Sequence, residues 1–252
     1  MRSKERDILL NQIFDAIKNY NGGLTYSFKG GFILGNYICP EGARYTTDLD
    51  LSIGSLTDFN IIVSIVSPIL NDWKCKGKIF SYKVKEPVIG KRSGSIDIYK
   101  KANNNSRAFI WTGLDISIHN MSYGVIRYKG FNCYSVERVL IDKISVLYND
   151  IGNIVRRGRD LYDIYLLSQL NYSMNYGNIL RALEDRGIDL SRRSVFEQEI
   201  YTKEGSFLIE NAINDTLESD KVDTVWVNSY GVTSRVVIES VLSILWLLRE
   251  GD

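Results

Sequence analysis

Asp48 and Asp50 stand two residues apart in the run ARYTTDLDLS, Ala43 to Ser52. A strand alternates its side chains, so both carboxylates point to one face while Leu49 and Leu51 point to the other. Adjacent carboxylates repel each other, and a cation between them removes the cost. Their oxygens are hard ligands suited to magnesium, which is usually held by one or two carboxylates together with substrate phosphates. A metal so held activates an attacking oxygen and neutralises a leaving pyrophosphate. An edge strand with a solvated acidic face would carry the same pair, so D-x-D alone does not decide. Just upstream, Lys29-Gly30-Gly31 lies between a strand-like TYSFK and a helical FILGNYI. Glycines there let the backbone approach a ligand, and a helix N-terminus offers free N–H groups to phosphate. A plain strand-to-helix turn needs the same two glycines.

The elements that must hold these residues are legible as periodicities. Ile8, Leu9, Ile13, Ala16 and Ile17 recur at helical spacing, which predicts a helix over 4–19 ended by Asn21-Gly22-Gly23. TTDLDLSI reads as a strand, and Asp58 to Asp72 as a helix with Pro68 as a point for a kink. Between about Lys76 and Tyr134 the runs KIFSYKVK, GSIDIYK, GLDISIHN and GVIRYKGFNCYSV alternate like strands, and KKANNNSRA reads as an exposed loop. From Val136 the period turns helical. Val139, Leu140, Ile144, Leu147 and Tyr148 share one face, and Leu161, Ile164, Tyr165 and Leu167 another. Residues 177–187, 205–217 and 233–249 are further helices. The fold class is α+β, a mixed α/β chain: residues 1–135 form a core with a mixed sheet, and residues 136–252 an all-helical domain.

Composition narrows the class. The chain has 252 residues, 44% apolar and 24% charged, with a formal net charge of +1. A nucleic-acid partner must therefore meet a local basic patch rather than a cationic whole. Lys74, Lys76, Lys78, Lys83, Lys85, Lys91 and Arg92, interleaved with Trp73, Phe80 and Tyr82, form one such stretch, which a solvated hairpin explains equally. The segment from Glu184 to Asp223 is richer in acids. Cys39, Cys75 and Cys133 are odd in number and far apart, which argues against a disulfide framework or a zinc site and for a reducing cytoplasm. MRSKERDILLNQ lacks the apolar core of a signal peptide, and VVIESVLSILWLL, interrupted by Glu239, is too short to span a bilayer. A cytoplasmic protein without membrane partners is expected. His119 has no Ser or Cys in a nucleophile motif and reads as a strand residue. Trp226 and Trp246, spaced helically among Val and Leu, read as core.

Later charges sit on helices. Lys143 lies on the helix whose apolar face holds Val139, Leu140, Ile144 and Leu147. It either reaches inward to a triphosphate as a point charge or stays at the surface beside Asp142. Asp160 and Asp163, three apart, share a helix face with Arg156, Arg157 and Arg159 close by, which suits a site or an ion-pair cluster.

In combination these residues carry a resemblance. Gly-Gly on a turn, a helix, then a strand with D-x-D resembles the DNA polymerase β-like nucleotidyltransferase superfamily, whose signature is hydrophobic-Gly-[Gly/Ser], a spacer, then Asp-hydrophobic-Asp-hydrophobic. Gly30-Gly31 and Asp48-Leu49-Asp50-Leu51 match it, with a long spacer. FKGGFIL followed by ARYTTDLDL looks like the opening motif of the AbiEii/AbiGii toxin family, K-G-G-x-x-L then R-x-[ST]-x-D-[IL]-D, onto which Arg44, Thr46, Asp48 and Asp50 fall. SVERVLIDKISVLYND resembles that family's Lys motif and places Lys143. RGRDLYDIYLL resembles its R-x-K-D-hydrophobic-x-D motif and places Arg157, Asp160 and Asp163. Arg159 stands where the motif has Lys. The swap keeps the charge, and matters only if that position moves a proton.

The resemblance implies a polymerase β-like core followed by helices, and magnesium or manganese-dependent transfer of a nucleotide from an NTP to an acceptor hydroxyl. It implies Lys29, Gly30, Gly31, Arg44, Thr46, Lys143, Arg157 and Arg159 as nucleotide contacts, and Asp48 and Asp50 as metal ligands, with Lys143 and Asp160 also in the catalytic set. A third acid is expected on a later strand: Asp97 in GSIDIYK or Asp115 in GLDISIHN. Asp115, shortly before the Lys motif, is favoured, as metal ligand or general base. The implied role is the toxin of a type IV toxin–antitoxin or phage abortive-infection pair, with a cognate antitoxin and RNA, especially the tRNA 3′ end, as acceptor. A protein or small-molecule acceptor is the alternative enzyme reading, and a non-catalytic nucleotide or RNA binder the alternative of another class.

Overall fold

A computed structural model describes residues 4–88, 92–102, 105–119, 124–149, 153–219 and 222–250. Lys91 of the basic stretch, and Asn103 and Asn104 of the expected loop, lie outside these residues. The chain forms two compact units. One comprises the chain up to Ile33 with Thr46–Tyr134, and the other comprises Leu34–Tyr45 with the chain from Ser135 on.

The first unit is built on a mixed sheet. Its elements are α1 (Lys4–Lys18), β1 (Tyr26–Lys29), α2 (Gly30–Ile33), β2 (Asp48–Ile53), α3 (Leu56–Cys75), β3 (Ser81–Lys85), β4 (Ser93–Lys100), β5 (Phe109–Ile118), β6 (Val125–Tyr128) and β7 (Phe131–Tyr134). The seven strands run in the order β3-β4-β5-β2-β1-β7-β6. β2 pairs antiparallel with β1 and parallel with β5. The D-x-D strand is therefore central, which removes the edge-strand reading of its acids.

Alternation splits the sheet into two faces. Phe28, Leu49, Leu51, Ile96, Ile98, Leu114 and Ile116 point to one and are almost wholly buried. α1 covers this face. It buries Leu9, Leu10, Ile13, Phe14 and Ile17, each worth about 2 kcal/mol by transfer, and Phe14 packs on Phe28 with ring centroids 4.5 Å apart. Ile8, expected on the apolar stripe, is exposed. α3 begins two residues before the expected Asp58 because Ser55 caps it, its hydroxyl accepting from the Asp58 N–H at 3.2 Å. The helix runs past Pro68 to Cys75 unbroken. The other face of the sheet is polar.

The second unit opens with a π-helical turn (Leu34–Ile38) that continues α2. It then holds α4 (Val136–Asn149), a 3-10 turn (Ile154–Arg156), α5 (Gly158–Ser168), α6 (Tyr176–Glu184), α7 (Val195–Ile200), α8 (Lys203–Leu217), α9 (Thr224–Ser229) and α10 (Ser234–Glu250). α5 is the core element. Every residue from Leu161 to Leu167 is buried, and α4, α8 and α10 pack against it. A charged residue inside that run must be paired. α7 and α9 were not expected from the sequence. α7 carries a capping box between Ser194 and Glu197, and α9 starts at Asp223, whose carboxylate accepts from the N–H groups of Val225 and Trp226. Trp246 is 58% exposed and Trp226 half-buried, so the expectation of two core tryptophans is corrected. On α10 the buried stripe is Val237, Ile238, Val241, Ile244, Leu245 and Leu248, and Trp246 lies off it. Among the described residues no helix is long and apolar enough to cross a membrane.

Candidate active site

The register of the sheet lines up the chemistry on its polar face. One row across the strands reads Lys85, Ser95, Asp115, Asp50 and Lys29. The next reads Lys83, Asp97, Gly113 and Asp48. A third reads Ser93, Ser117, Ser52 and Ser27. Register partners project from the same face, so Asp48, Asp50, Asp97 and Asp115 share one surface. Asp115 lies directly beside Asp50, and Asp97 lies beyond Gly113 from Asp48.

Gly30 opens the helix after β1 with φ +68, a region other L residues avoid. A Cβ there would stand 2.0 Å from Asp50 Oδ2, so the bare Cα is what lets the Asp50 carboxylate rest against the turn. The Thr47 hydroxyl donates to Asp48 Oδ2 at 2.9 Å, and the Thr46 hydroxyl donates to the Asp48 carbonyl at 3.3 Å, closing the turn before β2. Thr46 thus has a local structural bond, and Thr47, which sequence reasoning passed over, is the residue that touches the acid.

The two candidates for the third acid differ in their surroundings. Asp97 is buried. Burial alone would raise its pKa, but hydrogen bonds from Lys85, Ser95 and Tyr99 outweigh that and hold it below the usual range. Lys85 Nζ lies 2.5 Å from its Oδ2. Asp115 has an open side chain, yet the walls of the sheet withdraw enough water to raise its pKa, and the charges of Asp48 and Asp97 push the same way. Lys29 and Lys85 pull partly back.

Among the described residues no group of three or more His, Cys, Asp or Glu stands close enough to hold a metal ion by itself. A hard divalent ion bound with a substrate triphosphate does not need such a cage, since one or two carboxylates suffice. Asp48 and Asp50 on one face of a strand are a pair of hard donors that fits a divalent cation bound together with phosphates, and Asp115 lies in register beside them.

A second charge cluster forms inside the helical unit. Asp163 on α5 is fully buried. Its carboxylate takes both arms of Arg44, from Nε at 2.9 Å and from Nη2 at 3.0 Å, and Lys143 Nζ at 2.8 Å. Lys143 also holds Asp160 Oδ1 at 2.5 Å, and Arg157 approaches Asp160 Oδ2 at 3.4 Å. Burial raises the Asp163 pKa by itself, but Lys143 and Arg44 overcome it and hold it low. Burial likewise works against the Lys143 charge, and Asp163 and Asp160 overcome it. Two donors of Lys143 and the fork of Arg44 are thus engaged by carboxylates. Asp163, left outside the expected site set, is the hub. The fully buried run of α5 was the sequence signal that an acid there needed partners. Arg159 is exposed.

His119 lies one residue past β5, its N–H donating to the Ile53 carbonyl at 3.0 Å, so it ends a strand rather than sitting in one. In the basic stretch, Trp73 is buried and its Nε1–H donates to Gln12 at 2.6 Å, which removes it as a stacking surface for bases. Lys76 pairs with Asp72, Lys78 lies over Trp73, and exposed Phe80 is covered by Lys101.

The model of the family described as "Nucleotidyl transferase AbiEii toxin, Type IV TA system" matches residues 13–223. Two solved structures from Helicobacter pylori share the fold. The protein JHP933 is 12% identical at a TM-score of 0.57, over 100% of this chain and 94% of its own. A proposed nucleotidyltransferase is 12% identical at 0.59, over 99% and 97%. The nucleotidyltransferase toxin MenT4 of Mycobacterium tuberculosis aligns at 0.46 with 12% identity, over 96% of this chain and 92% of its own. No curated protein matches the chain.

Proposed function

The chain belongs to the AbiEii nucleotidyltransferase toxin family of type IV toxin–antitoxin systems, and on that premise we propose a magnesium-dependent transfer of a nucleotide from an NTP to a hydroxyl of RNA, the tRNA 3′ end being the favoured acceptor. Membership makes the protein a nucleotidyltransferase and implies an NTP substrate and an antitoxin partner. The observation that carries the reading is the bare Cα of Gly30 against the Asp50 carboxylate, with Asp48 on the same face and Asp115 in register beside Asp50. In this reading Asp48 and Asp50 would hold the divalent ion, with manganese as its substitute, and Asp115 beside Asp50 would serve as a further ligand or as general base. Such an ion, when bound, neutralises phosphate charge and makes the attacking oxygen a better nucleophile. The Gly30-Gly31 backbone lies against the triphosphate without a side chain in the way. Thr47 keeps Asp48 oriented through its hydroxyl bond. Pyrophosphate is the leaving group. Arg44, Thr46, Lys143, Arg157, Arg159 and Asp160 enter through the family motifs alone.

The test is incubation of the purified protein with magnesium, total cellular RNA and each of four α-labelled NTPs, with EDTA and Asp50→Ala as controls. Label in tRNA-sized RNA, lost in both controls, is the expected result and identifies the nucleotide. Label in protein or in small molecules with none in RNA overturns the acceptor. Bound NTP with no transfer to any fraction overturns catalysis.

A further inference from the structure

The polar face holds more than a metal needs. Lys29 does not keep its ammonium over its own strand. It reaches across β2 and donates to Ser117 Oγ on β5 at 2.7 Å. Ser117 lies 3.2 Å from the Ser52 hydroxyl, which lies 2.6 Å from the Tyr134 hydroxyl, both of them buried. A chain of hydroxyls thus anchors the Lys29 ammonium above β5. Toward the sheet edge Lys85 is anchored by Asp97 at 2.5 Å. A cleft of about 520 Å³ is lined by both lysines, by Ser93, Ser95 and Ser117, and by Asp115.

The size and chemistry restrict the occupant. Small-ligand sites run from roughly 300 to 1,000 Å³, so the cleft holds one nucleotide unit rather than a folded RNA. Each ammonium has three donors, and the anchoring bond named for each uses one. Hydroxyls suit both phosphate and ribose oxygens. Glu86 lines the cleft as an acceptor for sugar or base donors, and exposed Val88 offers an apolar patch for a base.

We propose that this cleft takes the 3′-terminal nucleotide of the acceptor strand, its phosphodiester between Lys29 and Lys85 and its hydroxyl toward Asp115. The inference rests on the reading of RNA as acceptor. It moves Lys29 from the triphosphate, where the motif alone would put it, to the acceptor. It divides the polar face between the two substrates, with the NTP on the Gly30 side of β2 and the acceptor over β4 and β5.

The experiment measures binding of 5′-fluorescent total tRNA, intact or with its terminal nucleoside removed by periodate oxidation and elimination and the 3′-phosphate left behind then removed by phosphatase. It compares the full chain with Lys85→Gln and Ser93→Asp, and mant-labelled NTP binding is read in parallel. Lys85→Gln deprives Asp97 of a partner, so Ser93→Asp, at the exposed start of β4, gives a second route. The wild type is expected to prefer the intact end. Both substitutions are expected to weaken intact tRNA roughly tenfold, the loss of one charge-assisted contact, to erase the preference and to leave mant-NTP binding in place. Lys85→Gln is also expected to flatten the plot of log K against log salt by about 0.7. Equal tRNA binding by wild type and both variants overturns the cleft while the RNA reading stands. Weakened mant-NTP with unchanged tRNA assigns the cleft to the nucleotide and overturns the inference. A wild type that neither binds nor labels RNA brings down the acceptor reading and the cleft with it.

Discussion

Gly30 meets two demands with one missing carbon. Its φ of +68 costs an ordinary L residue about 1–2 kcal/mol, and a Cβ would stand 2.0 Å from Asp50 Oδ2. The carboxylate end of Asp50 can swing aside, whereas its Cβ, 2.9 Å from the added carbon, moves only with β2, so the turn must shift by a few tenths of an ångström for the chain to fold. What it would lose is the position of the acid. Displacing a reacting group by about 1 Å costs on the order of a hundredfold in rate. Gly30→Ala is therefore expected to lower transfer at saturating NTP by about that factor while the thermal midpoint falls by only a few degrees. Rate assays beside circular-dichroism melts test this. Full activity in the folded variant would show that Asp50 does not need the turn.

The segment Leu34–Tyr45, part of the helical unit, has little regular structure after its π turn, so its place depends on side chains. The Tyr162 hydroxyl donates to the Gly42 carbonyl at 2.5 Å, the Trp226 ring lies against Gly42, and Arg44 forks onto Asp163. Asp163→Asn leaves two cations facing a neutral amide in a buried setting. It is expected to cost about 3 kcal/mol, read as a lower urea midpoint at unchanged slope; a loss under 1 kcal/mol would show that the clasp is dispensable. This clasp also marks the limit of what local pattern could tell. The D-x-D strand, the Gly-Gly turn and the long helices were legible because alternation and the 3.6 period are local. Asp50 beside Asp115 was not, since it depends on a parallel pairing between distant stretches, and alternation says which face a residue takes but not which strand is its neighbour. α7 and α9 escaped because six residues hold less than two turns of period, and only the caps Ser194 and Asp223 announce them. Trp246 was misjudged by its apolar neighbours. One helical step from Leu245 turns it about 100° away from the buried stripe.

At the scale of the whole molecule a net charge of +1 gives little global repulsion near neutrality, so pH acts through particular buried groups. Asp163 and Asp97 have lowered pKa values. Their contribution is complete above the ordinary carboxylate range, about 4, and is lost as pH falls through their folded values. Burial raises Cys133 to about 11 and, with Glu197 nearby, Tyr148 to about 12, and it raises Tyr162 as well. Their contribution is complete below the unfolded values, about 8.5 for thiol and 10 for phenol, and is lost as pH rises toward the folded ones. The thermal midpoint should therefore be flat from about pH 5 to 8 and fall on both sides. The Asp163–Lys143 pair enters both limbs, Asp163 through its lowered pKa and Lys143 through its raised one. Asp163→Asn cannot titrate at that position and no longer supports the Lys143 charge, so its midpoint should start lower at neutral pH and decline less steeply both below about pH 4 and above about pH 10. Melts of both proteins from acid to alkaline pH decide the matter. An acid limb equally steep in the variant would place the acid sensitivity outside the Arg44–Asp163–Lys143 network, and an alkaline limb equally steep would show that Asp160 alone sustains the Lys143 charge.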